Sequence, residues 1–264
     1  MIPYYIVDAF SDKPFAGNPA AICLQPAELN EAELQRIAAE FNLSETAFLR
    51  PLDEVGEHWS LRWFTPATEV KLCGHATLAA AHILWTECEI DAQQLRFETL
   101  SGQLCVRRLG VGYQLQFPLI ETVSDQGDWA QGLAEEIRGT AVAGEDLLIE
   151  LPTADQVKSF KAELLRIAQL PSRGLIVTAA GEAGVDFVSR FFAPQFGIDE
   201  DPVTGSAHCA LAHYWSTKLG KSQFVAVQCS ARGGELAVQI EGSLVLIAGN
   251  AVTVMAGQLY YPAA

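Results

Sequence analysis

Apolar and polar residues alternate over short stretches along most of the chain, the two-residue period of strands with one face against a core. The pattern predicts strands over residues 4–7, 20–24, 61–64, 95–99, 104–108, 113–117, 174–178, 187–192, 224–229, 236–240 and 244–248. Two stretches, 31–41 and 153–168, carry the spacing of amphipathic helices, opened by Asn30 and by Thr153 as N-caps. Two others, 77–85 and 209–215, are apolar or small on nearly every side, which predicts helices enclosed by protein all round. Strand follows strand more often than it follows helix, so the layout is α+β, with mixed sheets curled about a central helix.

The chain also repeats itself. RWFTP at 62–66 returns as RFFAP at 190–194, and GHATLAAAHIL at 74–84 returns as GSAHCALAHYW at 205–215. Laying Gly74 on Gly205 without a gap matches Ala76 with Ala207, Ala79 with Ala210, Ala81 with Ala212 and His82 with His213. Downstream, SGQLCV corresponds to GGELAV, so strand, glycine-led helix and strand recur in one order. Two domains are expected, over 1–118 and 119–264, with the option that the last strand returns to the first. Periodicity fades into a polar stretch near 118–128.

Gly74 and Gly205 each stand where the chain turns into a buried helix, whose first amides have no internal partner. A carboxylate there accepts from free N–H groups at the positive end of the helix dipole, and glycine permits close approach. Two duplicated halves would direct two such starts to a shared cleft; the other reading is that each start is capped by its own chain. Glu45, among Leu43, Ala47 and Phe48, is the candidate proton carrier, since partial desolvation would raise its pKa. Asp201 precedes Pro202, which holds the backbone before it extended and aims the carboxylate ahead of Gly205. His75 follows Gly74 and is either a proton donor beside the ligand or a core histidine. His58, His82, His208 and His213 are assigned to surface or packing roles.

Composition narrows the partners. With 17 Lys and Arg against 32 Asp and Glu the formal charge is −15, the wrong sign for phosphate backbones or anionic lipid. An anionic substrate therefore requires a locally positive pocket. No apolar run reaches membrane-spanning length, and the first ten residues carry Asp8 and no basic stretch before it, so a cytoplasmic protein is expected. The six cysteines are dispersed without metal-type spacing, which predicts free thiols and no metal site.

FAGNPAAI (15–22), NLSETAFL (42–49), RWFTPATEVKLCGHAT (62–77) and EDPVTGSAH (200–208) together resemble the signature blocks of the phenazine biosynthesis PhzF-like family, over essentially the whole chain. The resemblance implies a diaminopimelate epimerase-like fold of two pseudo-symmetric, β-barrel-like domains, each around a central helix. It also implies a cofactor-independent isomerase, commonly a homodimer, acting on a small carboxylate; well-understood members move a proton along a dihydro-hydroxyanthranilate. Carried across, Glu45 is the proton shuttle, His75 and Asp201 polarise the substrate, and Gly74, Gly205 and Ser206 bind its carboxylate. Cys73 and Thr204 flank the two glycines. Related epimerases place a catalytic thiol at the position of Cys73, but Thr204 is too weak an acid to be its partner, so a two-thiol route is disfavoured. Cys73 is then either an activated thiol at a helix start or a small buried side chain. Racemisation by unequal bases, or binding without catalysis on the same fold, are the competing functions.

Overall fold

The computed structural model describes residues 1–260, and the chain divides into two compact units. Residues 1–116 and 248–260 form the first, and Phe117–Ile247 the second.

In the first unit, β1 (Ile2–Ala9) lies between β2 (Asn18–Leu24) and the late strand β18 (Ala251–Leu259), antiparallel to both. The chain crosses through α1 (Glu31–Phe41) so that β3 (Glu45–Pro51) runs parallel to β2; β4 (His58–Phe64) returns antiparallel to β3. The short β5 (Glu69–Val70) pairs with β4 and leads into α2 (Gly74–Thr86). From there β6 (Gln94–Thr99) joins β4 in parallel, followed by antiparallel β7 (Gly102–Arg108) and β8 (Tyr113–Pro118).

The second unit repeats these pairings. Antiparallel β9 (Thr122–Ser124), β10 (Gly139–Ala143) and β11 (Asp146–Glu150) stand where β18, β1 and β2 stand in the first. β12 (Leu175–Ala180) is parallel to β11, and β13 (Phe187–Ala193) is antiparallel to β12 and to the short β14 (Ile198–Asp201). After the long helix Gly205–Leu219, β15 (Gln223–Gln228) joins β13 in parallel and β16 (Gly234–Glu241) follows antiparallel; β17 (Leu244–Gly249) leads back towards β18. An identical order of parallel and antiparallel neighbours removes chance repetition as the source of the sequence likeness.

The repeat extends to side chains. Arg62 grips Glu69 through two hydrogen bonds of 2.6 and 2.7 Å and lies over Phe64; Arg190 grips Glu200 at 2.6 and 2.9 Å and lies over Phe192. Each pair ties the middle strand of its unit to the short strand that precedes the central helix.

The sequence reading of one helix over 153–168 is corrected. The stretch holds two short helices, α3 (Ala154–Lys158) and α4 (Leu164–Ile167), which makes the helix at Gly205–Leu219 α5. Arg190 takes the carbonyl of Phe160 at 2.7 Å, a group that a continuous helix would have returned to its own amide. Strands β3, β5, β9, β10, β11, β14 and β18 were also not foreseen.

Candidate active site

The helices begin differently. α1 opens with a reciprocal capping box, Asn30 Oδ1 accepting from Glu33 N at 3.0 Å while Glu33 accepts from Asn30 N at 2.8 Å. The Thr153 hydroxyl likewise accepts from Gln156 N at the start of α3. α2 and α5 have no side-chain cap: Cys73 and Thr204 occupy the cap positions in extended backbone and neither side chain serves the first turn. Both helices are enclosed, with every residue from His75 to Trp85 buried and most of α5 likewise. At each start a side chain one turn in closes on the cap carbonyl instead, Thr77 Oγ1 on Cys73 O at 2.5 Å and His208 Nδ1 on Thr204 O at 2.8 Å. That leaves the leading amides aimed outward, which is the electropositive feature an acidic protein needs for an anion.

In the first unit Glu45 is the first residue of β3, and Asn42, in the left-handed conformation, ends α1 just before it. Its carboxylate lies 3.4 Å from His75 Nε2. The other ring nitrogen, Nδ1, is 3.3 Å from Asn18 Nδ2 and 3.5 Å from Cys73 Sγ. With the Asn18 amide donating, Nδ1 is the acceptor and Nε2 carries the proton, close to Glu45 but outside hydrogen-bond geometry, so this buried N–H has no protein partner among the described residues. Burial pushes the His75 pKa down to about 3, so the ring is neutral near pH 7 and acts as a donor and not as a cation. Glu45, Cys73 and His75 present ligand atoms all within 4.8 Å of one another, an oxygen, sulfur and nitrogen set that could also hold a thiophilic divalent ion. Cys73 is buried and borders this cluster.

In the second unit Asp201 ends β14 and its carboxylate accepts from Thr204 Oγ1 at 2.5 Å. Buried Gln228 ties this turn down, accepting from Thr204 N at 2.8 Å and donating to Asp201 O at 2.6 Å. Gly205 is buried and Ser206 is half-exposed. Arg173 Nη2 donates to Ser206 Oγ at 2.9 Å, and its guanidinium is held by buried Asp146 at 2.9 and 2.5 Å.

Each unit therefore collects its own predicted residues: Glu45, Cys73, Gly74 and His75 in the first, Asp201, Thr204, Gly205 and Ser206 in the second. Asn18, Gln228, Arg173 and Asp146 were missed as functional residues. Asn18 lay within a recognised block, FAGNPAAI; the others carry no local motif.

The model for the phenazine biosynthesis-like protein family matches residues 7–257. The chain belongs to that family. An uncharacterized isomerase of Pseudomonas aeruginosa is 46% identical over 263 residues, covering 98% of both chains. The human phenazine biosynthesis-like domain-containing protein is 41% identical, covering 98% of this chain and 99% of its own. Among solved structures, a PhzF-family protein of Enterococcus faecalis superposes with a TM-score of 0.92 at 40% identity, over 98% of this chain and 99% of that one. More distant structural likenesses fix the fold alone: a predicted epimerase of Pseudomonas aeruginosa (TM-score 0.74, 23% identity) and a probable proline racemase of Agrobacterium radiobacter (0.67, 10%). The fold is α+β of the diaminopimelate epimerase-like class. No helix among the described residues is long and apolar enough to cross a membrane.

Proposed function

We propose that this family member is an isomerase that moves a proton on a small unsaturated or cyclic carboxylate by side-chain acid/base chemistry, without a cofactor. The carrying observation is the place of Glu45, at a strand start, 3.4 Å from an imidazole that burial keeps neutral. Glu45 takes a proton from a carbon next to the unsaturated framework; the C–H bond breaks, its electrons enter the conjugated system, and a carboxyl O–H forms. The carboxyl O–H exchanges with solvent, a proton is then delivered from it to another carbon, and Glu45 is restored. Neutral His75 has a buried Nε2–H without a protein partner among the described residues, free to donate to the substrate, and it supplies no positive charge that would hold the Glu45 carboxylate inactive. The uncapped amides at Gly74 and at Gly205–Ser206 bind carboxylate and developing negative charge. Asp201, with its Thr204 bond, polarises the substrate. The isomerase names of relatives matched over nearly their full length support the reaction class.

The test is solvent exchange. A dihydro-hydroxyanthranilate and a panel of small cyclic carboxylates are incubated in D2O and followed by proton NMR. The intact protein should introduce deuterium into one of them, and Glu45→Gln should slow this by about 10²–10⁴-fold, the usual share of general acid/base catalysis. Retained exchange in Glu45→Gln removes the residue from the role.

One observation favours a second reading. Cys73 Sγ sits 3.5 Å from His75 Nδ1 beside Glu45, so a thiol is at hand as one of the two unequal bases of an epimerase, its partner base acting from the other face of the carbon. Racemisation of a chiral amino acid that is lost in Cys73→Ala would support it.

A further inference from the structure

The two units are equivalent in topology but not in chemistry. Phe64 pairs with Thr46 and its counterpart Phe192 pairs with Leu175, so the strand registers place Gly174 where the first unit has Glu45. The ungapped helix match places Ser206 where the first unit has His75. In the first unit the strand start and the second residue of the helix are linked as Glu45 with His75, a pair suited to moving protons. In the second, the link is Arg173, one residue before Gly174, donating to Ser206 Oγ at 2.9 Å.

Several features of Arg173 exceed what a strand-tying ion pair requires. Asp146 is 3% exposed and engages the Nε and Nη2 edge, fixing the plane of the guanidinium. Nη1 bonds no protein atom among the described residues, while the side chain keeps 34% of its surface open. Burial works against the charge on Arg173, yet the bonds to Asp146 prevail and hold its pKa above the ordinary value. Ser206 Oγ accepts from Arg173 and donates to nothing among the described residues, so its hydroxyl hydrogen points away from the guanidinium. A hydroxyl whose lone pair is engaged by a cation is a stronger donor, and this one stands in the first turn of a helix without a side-chain cap.

We infer that Arg173 is a positioning residue that turns the Ser206 hydroxyl into a fixed donor for the substrate's carboxylate, making the second unit the anion-recognition half. This rests on the proposed carboxylate reading and assigns the group that selects for the anion. The substrate class is a compact planar carboxylate rather than its neutral analogue.

The probe is anthranilate, titrated into ¹⁵N-labelled protein, with aniline as the uncharged control. Anthranilate is expected to shift the Gly205 and Ser206 amides and aniline to leave them in place. Ser206→Ala, which keeps the Arg173–Asp146 pair intact, should raise the anthranilate Kd about tenfold, the scale of one charge-assisted hydrogen bond. Arg173→Met combined with Asp146→Asn avoids stranding a buried carboxylate and should raise it at least as much. In that background Ser206→Ala should add less than twofold, because the hydroxyl's direction is no longer imposed. Full additivity of the changes, or unchanged affinity in the Arg173→Met/Asp146→Asn protein, overturns the inference. Shifts confined to Gly74 and His75 do so too, while leaving the proposed function standing. Failure of the intact protein to bind any small carboxylate overturns the proposed function as well.

Discussion

Acid should unfold this protein in a way set by three histidines. His75, His82 and His208 are buried, and burial lowers their pKa values to about 3, 4 and 4 respectively. An unfolded histidine titrates near 6.5, so between about pH 6.5 and 4 the unfolded chain takes up protons that the folded one refuses. Stability supplied by these rings is whole above pH 6.5 and falls as the pH drops, at up to about 1.4 kcal/mol per pH unit for each ring. From pH 7 to 4.5 each contributes a loss of about 2–3 kcal/mol, so together they remove a large part of the 5–15 kcal/mol typical of a folded domain. Urea unfolding followed by tryptophan fluorescence at half-unit pH steps measures this directly. His82 is the ring to vary, since it bonds Tyr113 Oη at 2.8 Å and Thr253 Oγ1 at 3.0 Å and lies outside the Glu45 cluster. His82→Gln should lower stability at pH 7 and flatten the slope below pH 6.5 by about 1.4 kcal/mol per unit. A slope identical to that of the parent protein would refute the reasoning for that ring.

Other consequences are open to measurement. Glu200→Ala leaves Arg190 in a half-buried site without its partner and should cost about 2–3 kcal/mol in chemical denaturation; Arg190→Met together with Glu200→Leu should recover most of the loss. Gly174→Ala would bring a Cβ to 2.4 Å from the Phe191 ring and 2.9 Å from the Phe192 carbonyl, so it should lower stability by about 1–3 kcal/mol in the same assay. Burial raises the Cys23 pKa strongly and that of Cys209 to about 12, while Cys105 is half-exposed. Brief iodoacetamide treatment at pH 8 should therefore label Cys105 well before Cys23 or Cys209 by mass spectrometry.

The parts of this architecture written in contiguous residues were readable from the chain. The glycine-led helices showed through their lack of a polar face, and the duplication showed because Gly74 and Gly205 open stretches that align without a gap. β11 escaped because all five of its residues are buried, so DLLIE carries no alternation. The break in 153–168 was hidden because the group that captures Phe160 O belongs to Arg190, 30 residues away. The same holds at the site. Glu45 and His75 sit in dense local blocks, whereas Arg173 gains its meaning from Asp146 and Ser206, 27 and 33 positions distant. Asn18 likewise reaches His75 across 57 positions. Pairings of that kind are set by sheet register, which periodicity does not encode.

The pairing of β1 with β18, from Ile2 with Leu259 to Ala9 with Ala251, has a consequence for biosynthesis. The second unit, residues 117–247, does not need β18 to complete its ladder. The first unit, although made earlier, must wait with one edge of β1 bare until the final strand emerges. A bare edge is a template for pairing with another chain, so the nascent protein is exposed to misassembly at β1 for as long as β18 is missing.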